Sequence, residues 1–241
     1  MRYLISISYD GSKYEGLQKL NNKPTIQGEL EKVLTDMNEK KVYVKAAGRT
    51  DKGVHALDQK CHFDLDKETT PYKLSYYINN ATSKYLHVNK CEEIKDNDFH
   101  ARFSVKRKEY IYKVNFGRYN PIMTDYIYNY CKDIDVEKLN KAAKILKGAH
   151  NYKAFVSAKR DNYDSIIDEI EIISYNDNIE IKFVGKAFYT YMVRNLVSAM
   201  LLVNENKISL DDLKEMLKTG KRTIDFGPVP ACGLYLAKIE Y

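Results

Sequence analysis

The chain has 241 residues, 44% hydrophobic and 30% charged, a balance that fits a folded globular protein and excludes a disordered one. Single cores stop growing near roughly 250 residues, so one large domain or two small ones can form. A formal net charge of +6 favours an anionic partner such as nucleic acid.

Residues 2–10 alternate as a strand and lack the apolar core of a signal peptide, and DGSKYEG follows as a turn or loop. Residues 25–38 read as a helix, with Ile26, Leu30, Val33, Leu34 and Met37 on one face. A second strand is expected over 42–47, further strands over 59–65, 87–93 and 109–116, and a short helix over 71–79. Residues 136–147 form a helix ended by Gly148. Residues 166–175 and 179–185 alternate around Asn176-Asp177-Asn178 as a hairpin. Two helices follow, 191–204 and 210–219, the second capped by Ser209 with Asp212 at the capping-box position, and 234–241 is a last strand. The most apolar run, residues 196–203, is far short of the roughly 20 needed to cross a bilayer, so no membrane role is expected. The pattern is α+β, two halves dividing near residues 104–108, with hairpins favouring antiparallel sheet. The four cysteines, Cys61, Cys91, Cys131 and Cys232, lie far apart with no C-x-x-C pair, which points to free thiols in a reducing cytoplasm.

Only eight of the 39 basic residues are arginine. Where a lysine-rich chain keeps arginine, the planar guanidinium is what the position calls for, which singles out Arg49, Arg102 and Arg194. The stretch AAGRTDKGVHA, residues 46–56, carries the densest polar chemistry. Gly48 and Gly53 bracket Arg-Thr-Asp-Lys directly after a strand, so the backbone can turn sharply and present Asp51 outward. One reading is an Asx-type turn in which Asp51 bonds its own backbone. The other is a nucleophile or base, kept ionised by Arg49 and Lys52. A phosphate-cradling loop is a poorer reading, because the Walker spacing is absent. His55 has no second ligand at helical or turn spacing, which favours a packed or hydrogen-bonded histidine over a metal ligand.

GRTDKGVHA resembles the signature of the tRNA pseudouridine synthase A family, usually GRTDAGVHA. YDGSKYEGLQ at 9–18 is similar to the family's YDGT-x-F-x-GWQ, and TIQGELE at 25–31 to TVQ-x-x-LE. FHARFSVKRKEYIY at 99–112 resembles FHARFSA followed by R-x-Y-x-Y, YMVRNLV at 191–197 resembles MVRN-x-V, and PACGLYLAKIEY at 230–241 resembles PA-x-GL-x-L-x-x-V-x-Y. The blocks stand in family order over nearly the whole chain. Leu17 replaces the family's tryptophan, Lys52 its alanine, and NNATSKYLHV lacks its Leu-Pro.

The resemblance implies a pseudouridine synthase fold: two similar halves, 1–104 carrying the catalytic loop and 105–241 completing a cleft, on a mainly antiparallel central sheet with flanking helices. It implies a homodimer acting on the anticodon stem-loop of tRNA, at uridines 38 to 40. The reaction breaks the N1–C1′ bond, rotates the uracil and joins C5 to C1′, consuming no redox equivalent or donor, so no cofactor or metal is expected. One carboxylate is required, and the resemblance assigns it to Asp51, as nucleophile or base. Arg49 is implied to replace the flipped base in its stack. Lys52, His55 and Arg102 lie in the matched blocks as substrate-binding candidates. Tyr110 is the choice for the family's active-site tyrosine, and Tyr112, expected to face oppositely, is the alternative. The lysines of 106–113 are expected on phosphates. The helix over 191–204 is apolar nearly all round and hence buried, with Arg194 in its first turn. There the guanidinium needs a carboxylate, and the resemblance points to Asp51; the alternative is that Arg194 snorkels to solvent. Two rivals remain: an inactive RNA-binding relative, and a hydrolase pairing Asp51 with Asp58 or Asp64.

Overall fold

A computed structural model describes residues 1–96 and 98–241. In chain order the elements are β1 (Arg2–Tyr9), α1 (Ile26–Asn38), β2 (Lys45–Ala46), β3 (His55–Asp64), α2 (Pro71–Ala81), β4 (Leu86–Ile94), β5 (Arg107–Asn115), β6 (Tyr128–Asn129), α3 (Val136–Leu146), β7 (Gly148–Asn151), β8 (Asp164–Tyr175), β9 (Asn178–Gly185), α4 (Met192–Asn204), α5 (Leu210–Thr219) and β10 (Leu234–Glu240). They fall into two compact units, Met1–Lys106 with Tyr235–Tyr241, and Arg107–Leu234. Chain order had grouped the last strand with the second half; it belongs to the first unit.

In the first unit β1 is central and buried over most of its length, as a strand covered on both faces must be. It pairs antiparallel with β3, Ile5 opposite Cys61, and with β4, Ile5 opposite Cys91. β10 joins β3 in parallel, Tyr235 opposite His55 and Leu236 opposite Ala56. Thr25 caps α1 by accepting from the Gly28 amide. That helix buries Ile26, Leu30 and Leu34, spaced four apart on one face. α2 is fixed to β4 by Asn79, which donates to the Val88 carbonyl and accepts from the Val88 amide. Each fully buried large side chain here, such as Ile5, Leu34 or Phe63, contributes about 1.5–3 kcal/mol.

The strand expected over 42–47 shrinks to Lys45–Ala46. The segment is extended and alternates, but its backbone groups find partners on α1 in place of a strand. The Val42 amide donates to Thr35 Oγ1, the Val44 amide to Glu31 Oε1, and Gln27 Nε2 donates to the Val44 carbonyl. Gln27, Glu31 and Thr35 lie four residues apart on one helix face, so three side chains do the work of a ladder.

The second unit holds antiparallel β5, β9, β8 and β7 in that order, with β6 parallel to β5. The β8–β9 hairpin turns at Asn176, whose φ of 49° asparagine tolerates. α5 has the expected capping box, the Ser209 hydroxyl accepting from the Asp212 amide and Asp212 accepting from the Ser209 amide. α3 stops at Leu146, and Gly148 opens β7. Along β5, Tyr110, Tyr112 and Val114 are buried while Ile111 and Lys113 are half-buried, so the two tyrosines share a face. The expected opposition of Tyr110 and Tyr112 fails because residues two apart on a strand point the same way.

Candidate active site

Asp51 lies half-buried in the connection from β2 to β3. The turn around it is closed by the main chain, the Val54 amide donating to the Asp51 carbonyl at 3.1 Å. Gly53, third in that turn, has φ +80°, the left-handed value a type II turn requires there. The turn that the Asx reading expected is thus present, with a main-chain bond across it.

The turn rests on the glycine-containing loop after β1. The Gly53 amide donates to the Gly11 carbonyl at 3.2 Å, and the Leu17 amide to the Thr50 carbonyl at 3.1 Å. Thr50 is buried, its hydroxyl 2.7 Å from the Tyr9 hydroxyl. A Cβ on Gly11 would stand 2.0 Å from the Val54 carbonyl oxygen, so only glycine fits. His55 is 2% exposed, accepts from the Gly11 amide through Nδ1, lies 3.4 Å from an Asp10 oxygen and stacks on Tyr235 at 4.6 Å. Buried on all these sides, it braces the loop in place of the expected substrate contact. Gln59, fully buried, donates to the Gly48 carbonyl at 2.9 Å. Sequence reading missed Tyr9, Gly11, Gln59 and Tyr235 as supports. The paired glycines of DGSKYEG were the signal for Gly11.

Arg49 is exposed beside Asp51. Lys52 pairs with Glu15 at 2.8 Å, holding that carboxyl below its usual range. Arg102 is exposed, its guanidinium 5.8 Å from the Phe103 ring. The two carboxylates of the hydrolase reading are otherwise engaged. Asp58 accepts from Ser6, Lys60 and the Ile239 amide, and Asp64 takes a bidentate pair from Arg2.

In the second unit, Tyr110 is nearly buried with its ring edge-on to Phe188 at 5.2 Å. Tyr112 is 0% exposed, and its hydroxyl donates to the Pro230 carbonyl at 2.7 Å, with burial pushing the phenol well up. It is a core residue and loses its place as alternative site tyrosine. Arg194 is half-buried: its Nε donates to the Val229 carbonyl at 2.7 Å and its guanidinium lies 5.0 Å from the Tyr191 ring. It is neither buried outright nor extended into solvent. Tyr191, the N-cap of α4, has φ 60°, a strained value for a bulky residue. Within 106–113, Lys113 pairs with Glu180 at 3.3 Å. Among the described residues no group of three His, Cys, Asp or Glu side chains could hold a metal, and no helix is long and apolar enough to cross a membrane.

A family model described as tRNA pseudouridine synthase matches residues 5–104 and 142–241. The chain belongs to the tRNA pseudouridine synthase family, a class of isomerases. Among its relatives, tRNA pseudouridine synthase A of Malacoplasma penetrans is 37% identical over 243 residues, covering 100% of both chains. The enzyme so named in Finegoldia magna is 38% identical over 240 residues, covering 98% of each, and that of Bacillus licheniformis 36% over 246 residues, covering 100% of this chain and 99% of that one.

Proposed function

We propose that the protein isomerises uridine to pseudouridine in the anticodon stem-loop of tRNA, at positions 38–40, with Asp51 as its catalytic carboxylate. The observation that carries this reading is the construction around Asp51. A half-buried carboxylate sits on a turn closed by backbone and braced by Thr50, His55 and Gly11, as a group must that acts on one atom of a substrate. The names of the full-length relatives support tRNA as the substrate. Breaking N1–C1′ and forming C5–C1′, with the proton lost from C5 matched by one gained at N1, leaves the atom count unchanged, so the reaction needs no donor. Asp51 acts as nucleophile or as base, Tyr110 packs against the uracil, Arg194 is the counter-charge of the carboxylate, and Arg49 takes the place of the extruded base. The working form is a homodimer.

Asp51→Asn tests this. Asparagine keeps the shape of the group but is neither nucleophile nor base. Pseudouridine formation in an unmodified tRNA transcript, mapped by base-specific chemical labelling, is expected to vanish while tRNA binding stays within a few-fold. Turnover at a sizeable fraction of the parent rate would remove Asp51 from the role.

A further inference from the structure

Residues 41–45 read Lys-Val-Tyr-Val-Lys. Because α1 side chains take the Val42 and Val44 amides, the valines turn inward and are buried, while Lys41, Tyr43 and Lys45 face out. The Lys41 ammonium lies 5.0 Å and the Lys45 ammonium 5.9 Å from the centre of the Tyr43 ring. Lys45 stands opposite His62 in the β2–β3 register. The His62 ring meets His100 edge-on at 4.8 Å, and His100 lies against Phe103 at 4.5 Å, with Arg102 over the far ring. A chain of neighbours on the first unit therefore links Tyr43 to Phe103 through Lys45, the buried His62 and His100.

Folding does not account for what this surface shows. Phe103 is 75% exposed and Tyr43 56% exposed. Among the described residues none of Lys41, Lys45 and Arg102 has a carboxylate within ion-pair distance, and the nearby Asp64 is taken by Arg2. The two histidines between the rings stay neutral, His62 being held down to about 4 by burial first and then by His100 and Arg2. His100 is lowered by burial, then by Lys45, Arg2 and Arg102. Among the described residues named on this surface the exposed apolar groups are flat rings, each flanked by a cation. A protein partner would ask for an aliphatic patch beside them. A nucleic acid strand offers what is missing, a π-face and a phosphate in each repeat.

We propose that this surface binds unpaired nucleotides of the RNA substrate, with bases stacked on Tyr43 and Phe103 and phosphates held by Lys41, Lys45 and Arg102. The proposal rests on the reading that the substrate is RNA. It extends the binding role expected of Arg102 to four residues outside that expectation.

Binding is measured with two probes, an unmodified tRNA transcript and single-stranded oligouridylate, by titration at each of several salt concentrations. Phe103→Ala and Tyr43→Ala are each expected to weaken both about tenfold, the usual effect of losing one base stack. Phe103→Tyr keeps the flat ring and is expected to bind as the parent does, whereas Phe103→Leu is expected to match Phe103→Ala. Tyr72→Ala, which removes another exposed ring outside this surface, is expected to bind as the parent does. Lys45→Gln and Arg102→Gln are each expected to lower the slope of log affinity against log salt by about one. Unchanged oligouridylate binding in both alanine variants, or equal binding by Phe103→Leu and Phe103→Tyr, would overturn the proposal. A parent that bound oligouridylate through these rings yet formed no pseudouridine in tRNA would overturn the proposed function and leave the surface standing.

Discussion

A guanidinium in the first turn of an apolar helix opposes the helix dipole, so directional contacts have to hold it. Those of Arg194 include the Nε bond to the Val229 carbonyl and the ring of Tyr191 beneath its plane. Lysine can supply a donor or a charge over the ring but not both from one fixed plane, because its charge sits on one rotating ammonium. Arg194→Lys is therefore expected to slow single-turnover pseudouridine formation roughly tenfold to a hundredfold, matching the loss of a charged hydrogen bond of about 1.5–3 kcal/mol. Arg194→Met should be slower still and less stable, since the Val229 carbonyl loses its donor. A lysine variant at the parent rate would show that the plane of the guanidinium is irrelevant. The sequence singled out this residue by placing an arginine in an apolar helix of a lysine-rich chain, and it singled out Asp51 by bracketing it with glycines. It misled at Tyr112, where two tyrosines on one strand look alike until packing shows which hydroxyl is tied to Pro230.

At the scale of elements, legibility followed how local the signals were. α5 was readable to its ends because its cap, its box and its Gly220 stop are all neighbours in sequence. Residues 42–47 were not, because their backbone partners are side chains of α1, and alternation alone cannot distinguish that from a ladder. The start of β3 at His55 was hidden for a similar reason, its partner being a strand 180 residues away in the register of Tyr235. The pairing of the Gly11 loop with the Asp51 turn leads to a prediction. In Gly11→Ala the new methyl meets the Val54 carbonyl, and the turn must shift or the loop must lift. Overpacking of this kind costs about 1–3 kcal/mol. The variant should unfold at lower urea and lose more activity than its remaining folded fraction explains. Parent activity in a fully folded variant would show that the turn tolerates displacement.

Across the whole molecule, the two units meet acid differently. In the first, His62 accepts from the Ala101 amide and is held neutral down to about 4, against 6.5 when exposed. Below pH 6.5 the unfolded chain takes a proton that the folded chain refuses, so stability present above 6.5 is lost as pH falls toward 4. In the second, Glu205 is held at about 2, against 4.5, by Lys132 and Lys207 and by the Tyr130 hydroxyl. Its stabilisation is complete above 4.5 and is lost as pH falls through about 2. Urea midpoints against pH should therefore fall in two ranges, with His62→Gln flattening the milder one and Glu205→Gln the lower one; identical curves for all three proteins would refute the assignment. The return of β10 to the first unit bears on synthesis. His55 braces the Asp51 turn against Tyr235, and Tyr235 is translated only after the whole of the second unit. On the ribosome the turn carrying Asp51 exists for most of elongation without its last support, so a nascent chain has this carboxylate long before it has the means to aim it.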